Sequence, residues 1–349
     1  MNHEHYMQRA FELAQNGLGT VSPNPMVGCV VVHNNLIIGE GWHQKFGEAH
    51  AEVRAINSIE NKELLKEATV YVTLEPCSYH GKTPACSDLL IASGVKKVII
   101  AALDPNPKVS GNGMNALKSA GIEVESGVFE KQSIKLNKRF FINQYLDRPF
   151  VILKWAQTKD GFIARKNFDS KWISNEFSRQ RVHQWRAEED AILVGKNTAR
   201  YDNPSLTVRD WKGSNPIRIV LDRQLELSTN LNLFNGEVRT LVYNCKESSA
   251  IGNFELIKLE ENNFIALVLK DLYQRNRGSL IVEGGSKILQ QFIQLGLWDE
   301  ARVFTSNQEF GEGIEAPNIN AKNSTSEQIE HDKLTYYYNS QTITNWQKN

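Results

Sequence analysis

The sequence predicts two consecutive α/β domains, and three observations carry this expectation. The chain has 349 residues, more than a single domain usually holds. Apolar strand-like runs alternate with helical patterns through both halves. The alternation pauses once, around Asp147-Arg148-Pro149, and then starts again. With 41% hydrophobic residues each half can build its own core, so we expect domains at 1–147 and 148–349.

In order, Met7, Ala10, Phe11 and Ala14 recur at helical spacing and Gly17 offers a stop, so the chain opens on an amphipathic helix. VGCVVV reads as a buried strand, and Asn34-Asn35 suits a tight turn into LIIGEGWH, which makes a hairpin. A helical AHAEVRAINSI follows. ATVYVTL and VKKVIIAAL read as strands, with a helix over CSDLLIASG between them that Gly94 closes. Apolar strands alternating with helices imply a sheet buried on both faces. Beyond 147 come FVILKWA, a helix over NEFSRQRVHQWRAEE, AILVG, PIRIVLD, TLVYN, SLIVEGG, a helix over SKILQQFIQ, and ARVFT. The polar stretch from about 306 to 335 shows no pattern, and no internal repeat or low-complexity tract is present.

Composition narrows the function. Lys plus Arg and Asp plus Glu both number 40, so no general field gathers nucleic acid or an anionic membrane. The opening MNHEHYMQRAFELAQ lacks the basic flank and apolar run of a secretory signal, and no later run approaches a bilayer span. A cytoplasmic enzyme with small-molecule substrates is expected, without nucleic-acid or membrane partners, and as a homo-oligomer. The four cysteines, Cys29, Cys77, Cys86 and Cys245, are too few for a disulfide scaffold, so the near pair Cys77 and Cys86 points to a metal.

His50-Ala51-Glu52, followed by Glu75-Pro76-Cys77 and then Cys86, is the strongest local signal. Replacing an exocyclic amine by oxygen needs a water activated at neutral pH, which zinc with three protein ligands and an open position provides. His50, Cys77 and Cys86 supply the ligands. Glu52, two residues from His50, can carry a proton from water to the leaving ammonia without becoming a ligand. The pattern has the form of the zinc-deaminase signature, although eight residues separate the cysteines here instead of two. That longer loop brings His80 and Lys82 near the metal, where they can meet polar or anionic substrate groups. Pro76 suits the first turn of a helix, whose start would favour the Cys77 thiolate. A nucleic-acid deaminase is a poorer reading, because residues 1–147 hold 14 Lys plus Arg against 15 Asp plus Glu. A zinc-stabilised protein without catalysis would need no Glu52 and would take a fourth protein ligand.

These residues, with Ser22-Pro23-Asn24-Pro25-Met26-Val27-Gly28, Gly39-Glu40-Gly41-Trp42-His43, Thr73-Leu74-Glu75-Pro76-Cys77 and Asp104-Pro105-Asn106-Pro107, make the chain resemble the bacterial riboflavin-biosynthesis deaminase/reductase family over nearly its whole length. The eight-residue cysteine spacing is itself that family's pattern, and Ser22 stands where the family usually has His. The resemblance implies an N-terminal cytidine-deaminase-like α/β/α domain followed by a dihydrofolate-reductase-like α/β domain that uses NADPH. It implies that Asn24, His43 and Lys82 contact the pyrimidine or its phosphoribosyl group.

In the second half, Glu283-Gly284-Gly285-Ser286 follows the strand SLIV and opens a helix, an arrangement that can seat a phosphate or can simply be a turn with Ser286 as N-cap. Lys154 to Gly161, Ser170 to Ser174 and Asp202 to Arg209 resemble the family's reductase segments, with Asn203 replacing an Asp. By matching position, Ala156, Trp172, Thr198, Asp202 and the turn Gly285, Ser286 and Lys287 would meet the nucleotide. Ser170, Arg186, Leu206, Arg209 and Glu283 would meet the substrate, the arginines by pairing with its phosphate. Arg223, just past PIRIVLD, could pair with the phosphate that distinguishes NADPH from NADH. Asp160 is an acid-base candidate by motif position alone. The implied chemistry is deamination of 2,5-diamino-6-(5-phosphoribosylamino)pyrimidin-4(3H)-one, with zinc as cofactor, followed by reduction of the ribosyl chain with NADPH.

Overall fold

The computed structural model describes residues 3–79, 84–106, 109–170 and 173–342, and divides into two compact units, Met1–Leu146 and Asp147–Asn349.

The first unit begins with α1 (His3–Gln15), the hairpin β1 (Gly28–His33) and β2 (Leu36–Trp42), and α2 (Ala51–Asn57). It continues with β3 (Thr69–Val72), α3 (Cys86–Ala92), β4 (Lys97–Ile100), α4 (Asn112–Ser119), β5 (Glu123–Ser126), α5 (Glu130–Leu136) and α6 (Lys138–Leu146). The sheet order is β2-β1-β3-β4-β5, with β1 antiparallel to both neighbours and the last three strands parallel. Asn34 and Asn35 both take positive φ, 49° and 63°, which is the two-residue hairpin turn their pairing predicts. Alternation along the strands sorts two cores. Cys29, Val31, Val70, Val72, Val98 and Ile100 face α2 on one side, while Val30, Val32, Tyr71 and Ile99 face Met7, Ala10 and Phe11 of α1 on the other. Gly28 permits this closeness, since a Cβ there would lie 2.0 Å from the Ala10 carbonyl oxygen. The α/β/α layering expected for this half is what forms.

The second unit contains β6 (Phe150–Gln157), β7 (Phe162–Ala164), α7 (Glu176–Glu188), β8 (Ala191–Gly195), α8 (Lys196–Asp202), β9 (Ile217–Leu221), β10 (Thr240–Asn244), β11 (Ser249–Ile251) and β12 (Phe254–Lys258). It ends with α9 (Phe264–Gln274), β13 (Ser279–Glu283), α10 (Ser286–Gln294), β14 (Glu300–Thr305), β15 (Ile314–Glu315), β16 (Asn323–Ile329) and β17 (Asp332–Tyr338). The main sheet runs β11-β12-β10-β9-β8-β13-β6-β14-β17-β16, and the strands from β12 to β14 are parallel. Because β13 returns to lie between β6 and β8, the connections diverge at the carboxyl ends of these strands, where open α/β sheets bind ligands. The entry to this sheet is pinned by Arg148, whose guanidinium donates to both Asp299 oxygens at 2.7 and 2.8 Å, while Asp299 also accepts the Val151 N–H at 2.7 Å. The polar stretch that gives no pattern in sequence holds β15, β16 and the start of β17.

Candidate active sites

In the first unit the loops beyond β2 and β3 and the starts of α2 and α3 converge. His50 is the N-cap of α2, Glu52 stands in that helix's first turn, and Cys86 is the first residue of α3. His50 Nδ1 lies 3.3 Å from Cys86 Sγ and 3.7 Å from Cys77 Sγ, and all three donor atoms fall within 4.8 Å of one another. Two ligands on a tetrahedral zinc, with Zn–N near 2.05 Å and Zn–S near 2.3 Å, are separated by roughly 3.6 Å, so this donor set fits the ion in both chemistry and spacing. Among the described residues it is the one His, Cys, Asp or Glu cluster of this kind.

The expected helix start at Pro76 does not form: residues 75–78 are irregular. Instead, the backbone N–H of Cys86, at the start of α3, donates to Cys77 Sγ at 3.3 Å. Hydrogen bonds from Cys86 and His50 hold the Cys77 thiol well below its ordinary range, against the opposing effect of burial. A helix start does favour the thiolate, but from across the site.

Glu52 is 3% exposed. Burial, reinforced by the Cys77 charge, pushes its carboxyl up to about 6, and it hydrogen-bonds Cys86. Asn24 and His43, expected at the substrate, adjoin the cluster. Asn24 Nδ2 is 3.1 Å from His43 Nε2, and His43 Nδ1 is 3.3 Å from the Ala49 carbonyl. A carbonyl only accepts, so Nδ1 carries the proton and Nε2 receives the Asn24 amide, which fixes the tautomer. The His43 ring stands edge-on to His50 at 5.3 Å. Lys82 and His80 lie outside the described residues.

The sequence places Glu75 in the motif but assigns it no role. Its carboxylate accepts the backbone N–H groups of Gly111, Met114 and Asp104 at 2.9, 3.0 and 3.2 Å, tying the segment after β4 to the residue two before Cys77. No local pattern marks such a role.

In the second unit a cavity of about 890 Å³ opens at the carboxyl ends of β6, β8, β9 and β13. Of the residues expected at the nucleotide, Ala156, Thr198, Asp202 and Arg223 line it, as do Gly285, Ser286 and Lys287 of the turn into α10. Gly284 and Gly285 take φ of 95° and 74°, and a Cβ on Gly284 would lie 3.1 Å from Thr198 Cγ2. The glycine pair thus takes left-handed backbone and lets Thr198 pack against a turn that opens a helix at the cavity, where a helix start can receive a dinucleotide phosphate. Gly285, not Ser286, is the N-cap, and no side chain caps this helix. Arg223 places its guanidinium 4.7 Å from the Phe264 ring and 3.7 Å from Glu261. Trp172 lies outside the described residues.

Ser170, Arg186, Leu206 and Glu283, expected at the substrate, also line the cavity. Ser170 Oγ faces both Asp202 carboxylate oxygens at 3.3 Å. Arg186 donates to both Glu283 oxygens at 2.9 and 2.8 Å and to the Thr207 carbonyl at 3.2 Å. Burial opposes ionisation of Glu283, but Arg186 and Lys154 outweigh it and hold the carboxyl down at about 2. Arg209 is exposed and outside the cavity lining, with its guanidinium folded back on Thr207 Oγ1 at 3.4 Å.

Asp160 does not reach the cavity. It accepts from Thr158 Oγ1 and from the N–H groups of Phe310 and Gly311, so it organises a turn. The sequence reading assigns no role to Lys154, which lines the cavity with its Nζ 3.9 Å from Glu283 and is pushed below its ordinary value by burial. Its signal was available as a lysine inside the apolar run FVILKWA. The stacked rings of Phe168 and Tyr201, 4.3 Å apart, also line the cavity and carry no sequence signature.

The Arg186–Glu283 pair yields a prediction. Arg186→Ala leaves a buried carboxylate without its two-pronged partner, and we expect the second unit to lose about 3–5 kcal/mol. A carboxyl held below its ordinary value stabilises the fold above that value, so the contribution is complete above about pH 4.3 and fades as pH falls toward the folded value of about 2. Acid unfolding of wild type and variant followed by circular dichroism measures this. Curves separated by the same amount at pH 7 and pH 2 would show that the charge pair is not the source.

A half-buried His-Cys-Cys donor set with a buried carboxyl beside it, in one chain with a cavity on a parallel sheet at a glycine turn, describes a deaminase coupled to a nucleotide-dependent reductase. Residues 1–102 match the cytidine and deoxycytidylate deaminase zinc-binding region, and residues 149–332 match the RibD C-terminal domain. The riboflavin biosynthesis protein RibD of Aquifex aeolicus is 42% identical over 322 residues, covering 89% of this chain and 88% of that one. The Escherichia coli protein of the same name is 36% identical over 330 residues, covering 89% of each. Among solved structures, a diaminohydroxyphosphoribosylaminopyrimidine deaminase/5-amino-6-(5-phosphoribosylamino)uracil reductase from Thermotoga maritima superposes with a TM-score of 0.88 at 40% identity, over 97% of this chain and 98% of that one. Acinetobacter baumannii RibD gives 0.85 at 33% identity, over 96% and 98%. The chain belongs to the RibD family of riboflavin biosynthesis proteins. It is a bifunctional hydrolase and oxidoreductase whose cofactors are zinc and NADPH.

Proposed function

We propose that residues 1–147 form the deaminase domain and 148–349 the reductase domain, and that they act in sequence on phosphoribosyl pyrimidines. The first hydrolyses the 2-amino group of 2,5-diamino-6-(5-phosphoribosylamino)pyrimidin-4(3H)-one. The second adds a hydride from NADPH and a proton to 5-amino-6-(5-phosphoribosylamino)uracil, giving the ribitylamino product. The observation that carries the reading is the His50, Cys77 and Cys86 cluster with buried Glu52 beside it.

His50, Cys77 and Cys86 would hold the zinc, which when bound would supply a water acidic enough to attack at neutral pH. Glu52 takes the proton of that water and returns it to the departing amine. Asn24 and His43, locked in one tautomer, orient the pyrimidine, and Lys82 meets its phosphoribosyl group. In the second unit Ala156, Trp172, Thr198, Asp202, Arg223 and the turn Gly285 to Lys287 hold NADPH. Ser170, Arg186, Leu206, Arg209 and Glu283 hold the substrate, with Arg209 receiving its phosphate. These residues position two molecules and exclude water, since hydride donation is the cofactor's own chemistry.

Balanced charge supports an enzyme without a nucleic-acid partner, we expect it in the cytoplasm, and among the described residues no helix is long and apolar enough to cross a membrane. We expect a homo-oligomer, which sedimentation of the purified protein would measure. To test the sequence of reactions, zinc-loaded protein is given the diaminopyrimidine phosphate and NADPH together. Ammonia release should precede NADPH oxidation and equal it in amount. Oxidation without ammonia would overturn the order.

A further inference from the structure

We infer that His183 is a positioning residue for the reductase substrate: it fixes the backbone of Arg209 and keeps the adjacent carboxylate of Asp210 away from that arginine's guanidinium. The inference rests on the reading above, in which Arg209 receives the substrate phosphate.

His183 is 4% exposed and lies on α7, three residues before Arg186. Its Nδ1 is 3.2 Å from the Arg209 amide nitrogen, and its Nε2 is 3.4 Å from Asp210 Oδ2. A backbone N–H can only donate, so Nδ1 must present its lone pair and the proton must sit on Nε2, facing the carboxylate. Burial and the charges of Arg186 and Arg209 push His183 below its ordinary value despite Asp210 and Glu283, which agrees with a neutral ring.

The same helix grips the segment twice, since Arg186 holds the Thr207 carbonyl while His183 holds the Arg209 amide. Leu206, which begins this segment, lines the cavity in a left-handed conformation with φ of 52°. Arg209 therefore leaves the cavity wall on a backbone anchored from beneath. Among the described residues no carboxylate pairs with its guanidinium, whereas the neighbouring Asp210 is engaged by His183. Without the imidazole, the amide loses its acceptor and Asp210 is released beside an arginine that must remain available to an anion.

The experiment measures steady-state reduction of 5-amino-6-(5-phosphoribosylamino)uracil by full-length protein carrying His183→Leu, His183→Asn, His183→Gln or Arg209→Ala singly, or His183→Leu combined with Arg209→Ala. Loss of one neutral hydrogen bond corresponds to about a 3- to 10-fold change, and we expect His183→Leu to raise KM for this substrate by that factor, with a smaller fall in kcat. Asparagine carries an acceptor near the Nδ1 position, keeps the backbone anchor and should recover most of the KM, whereas glutamine, which places its amide near Nε2 and can keep only the Asp210 contact, should recover less. Added to Arg209→Ala, His183→Leu should have no further effect on KM. If Arg209→Ala raises KM while His183→Leu and His183→Gln do not, the inference is wrong and the phosphate reading stands. If Arg209→Ala itself leaves KM unchanged, that reading fails and the inference falls with it. Should His183→Leu fail to fold, the contrast between asparagine and glutamine decides, and equal KM values for those two variants would overturn the inference.

Discussion

Glu52→Gln is expected to retain zinc and lose deamination by about 10²–10⁴-fold. Glutamine keeps the size of the side chain and a carbonyl oxygen, and the donor atoms of His50, Cys77 and Cys86 are untouched. It cannot accept a proton from water and return it, so the site should stay assembled but lack a proton route. The loss should fall on turnover. Metal content and ammonia release from the same preparation provide the check, and near-normal ammonia release would remove Glu52 from the mechanism.

Cys77→Ser should empty the metal site and reduce deamination to background. The Cys77 sulfur is one of three donors and also receives the Cys86 N–H, so its loss disturbs the anchoring of the set as well as its number. A neutral hydroxyl is a poor substitute for a thiolate on zinc. Among the described residues, those that line the cavity of the second unit all lie beyond 147, so the variant, given the already deaminated pyrimidine, should oxidise NADPH at close to the wild-type rate. Loss of that rate in a protein whose thermal transitions show both units folded would mean that the first unit helps to build the reductase site. Deamination persisting in zinc-free protein would be more damaging, because it would remove the metal from the chemistry.

What could be read from the sequence divides along physical lines. Strands such as VGCVVV and SLIV are continuous apolar runs, because each lies in a sheet covered on both faces, and they were visible at once. The metal donors were visible because few other uses combine those residue types at that spacing. Helix α9 is legible in the same way, although the expected order of strands and helices omits it: Ile265, Val268, Leu269 and Leu272 recur on one face and are all buried. Strand β16 was not legible. It is a polar edge strand, exposed along nearly its whole length, so no burial imposes a period on it. Pairings between distant residues were equally hidden. Arg186 and Glu283 stand 97 residues apart, and nothing local tells that the arginine's fork is already occupied by protein. The same limit concealed the acceptor of the Arg209 amide and misplaced the helix start that serves Cys77.

The carboxylate of Glu75 has one more consequence. Three amide hydrogens, those of Asp104, Gly111 and Met114, end on its two oxygens. In the language of hydrogen exchange they share a single lock, so an opening that swings Glu75 aside exposes all three to solvent together, and with them frees the chain that carries Cys77. The local stability of the Asp104, Gly111 and Met114 amides and the hold on a metal-binding sulfur should therefore follow one opening equilibrium, which exchange at these amides with and without zinc would measure. Any group that binds and steadies Cys77 is then expected to slow exchange at residues it never touches.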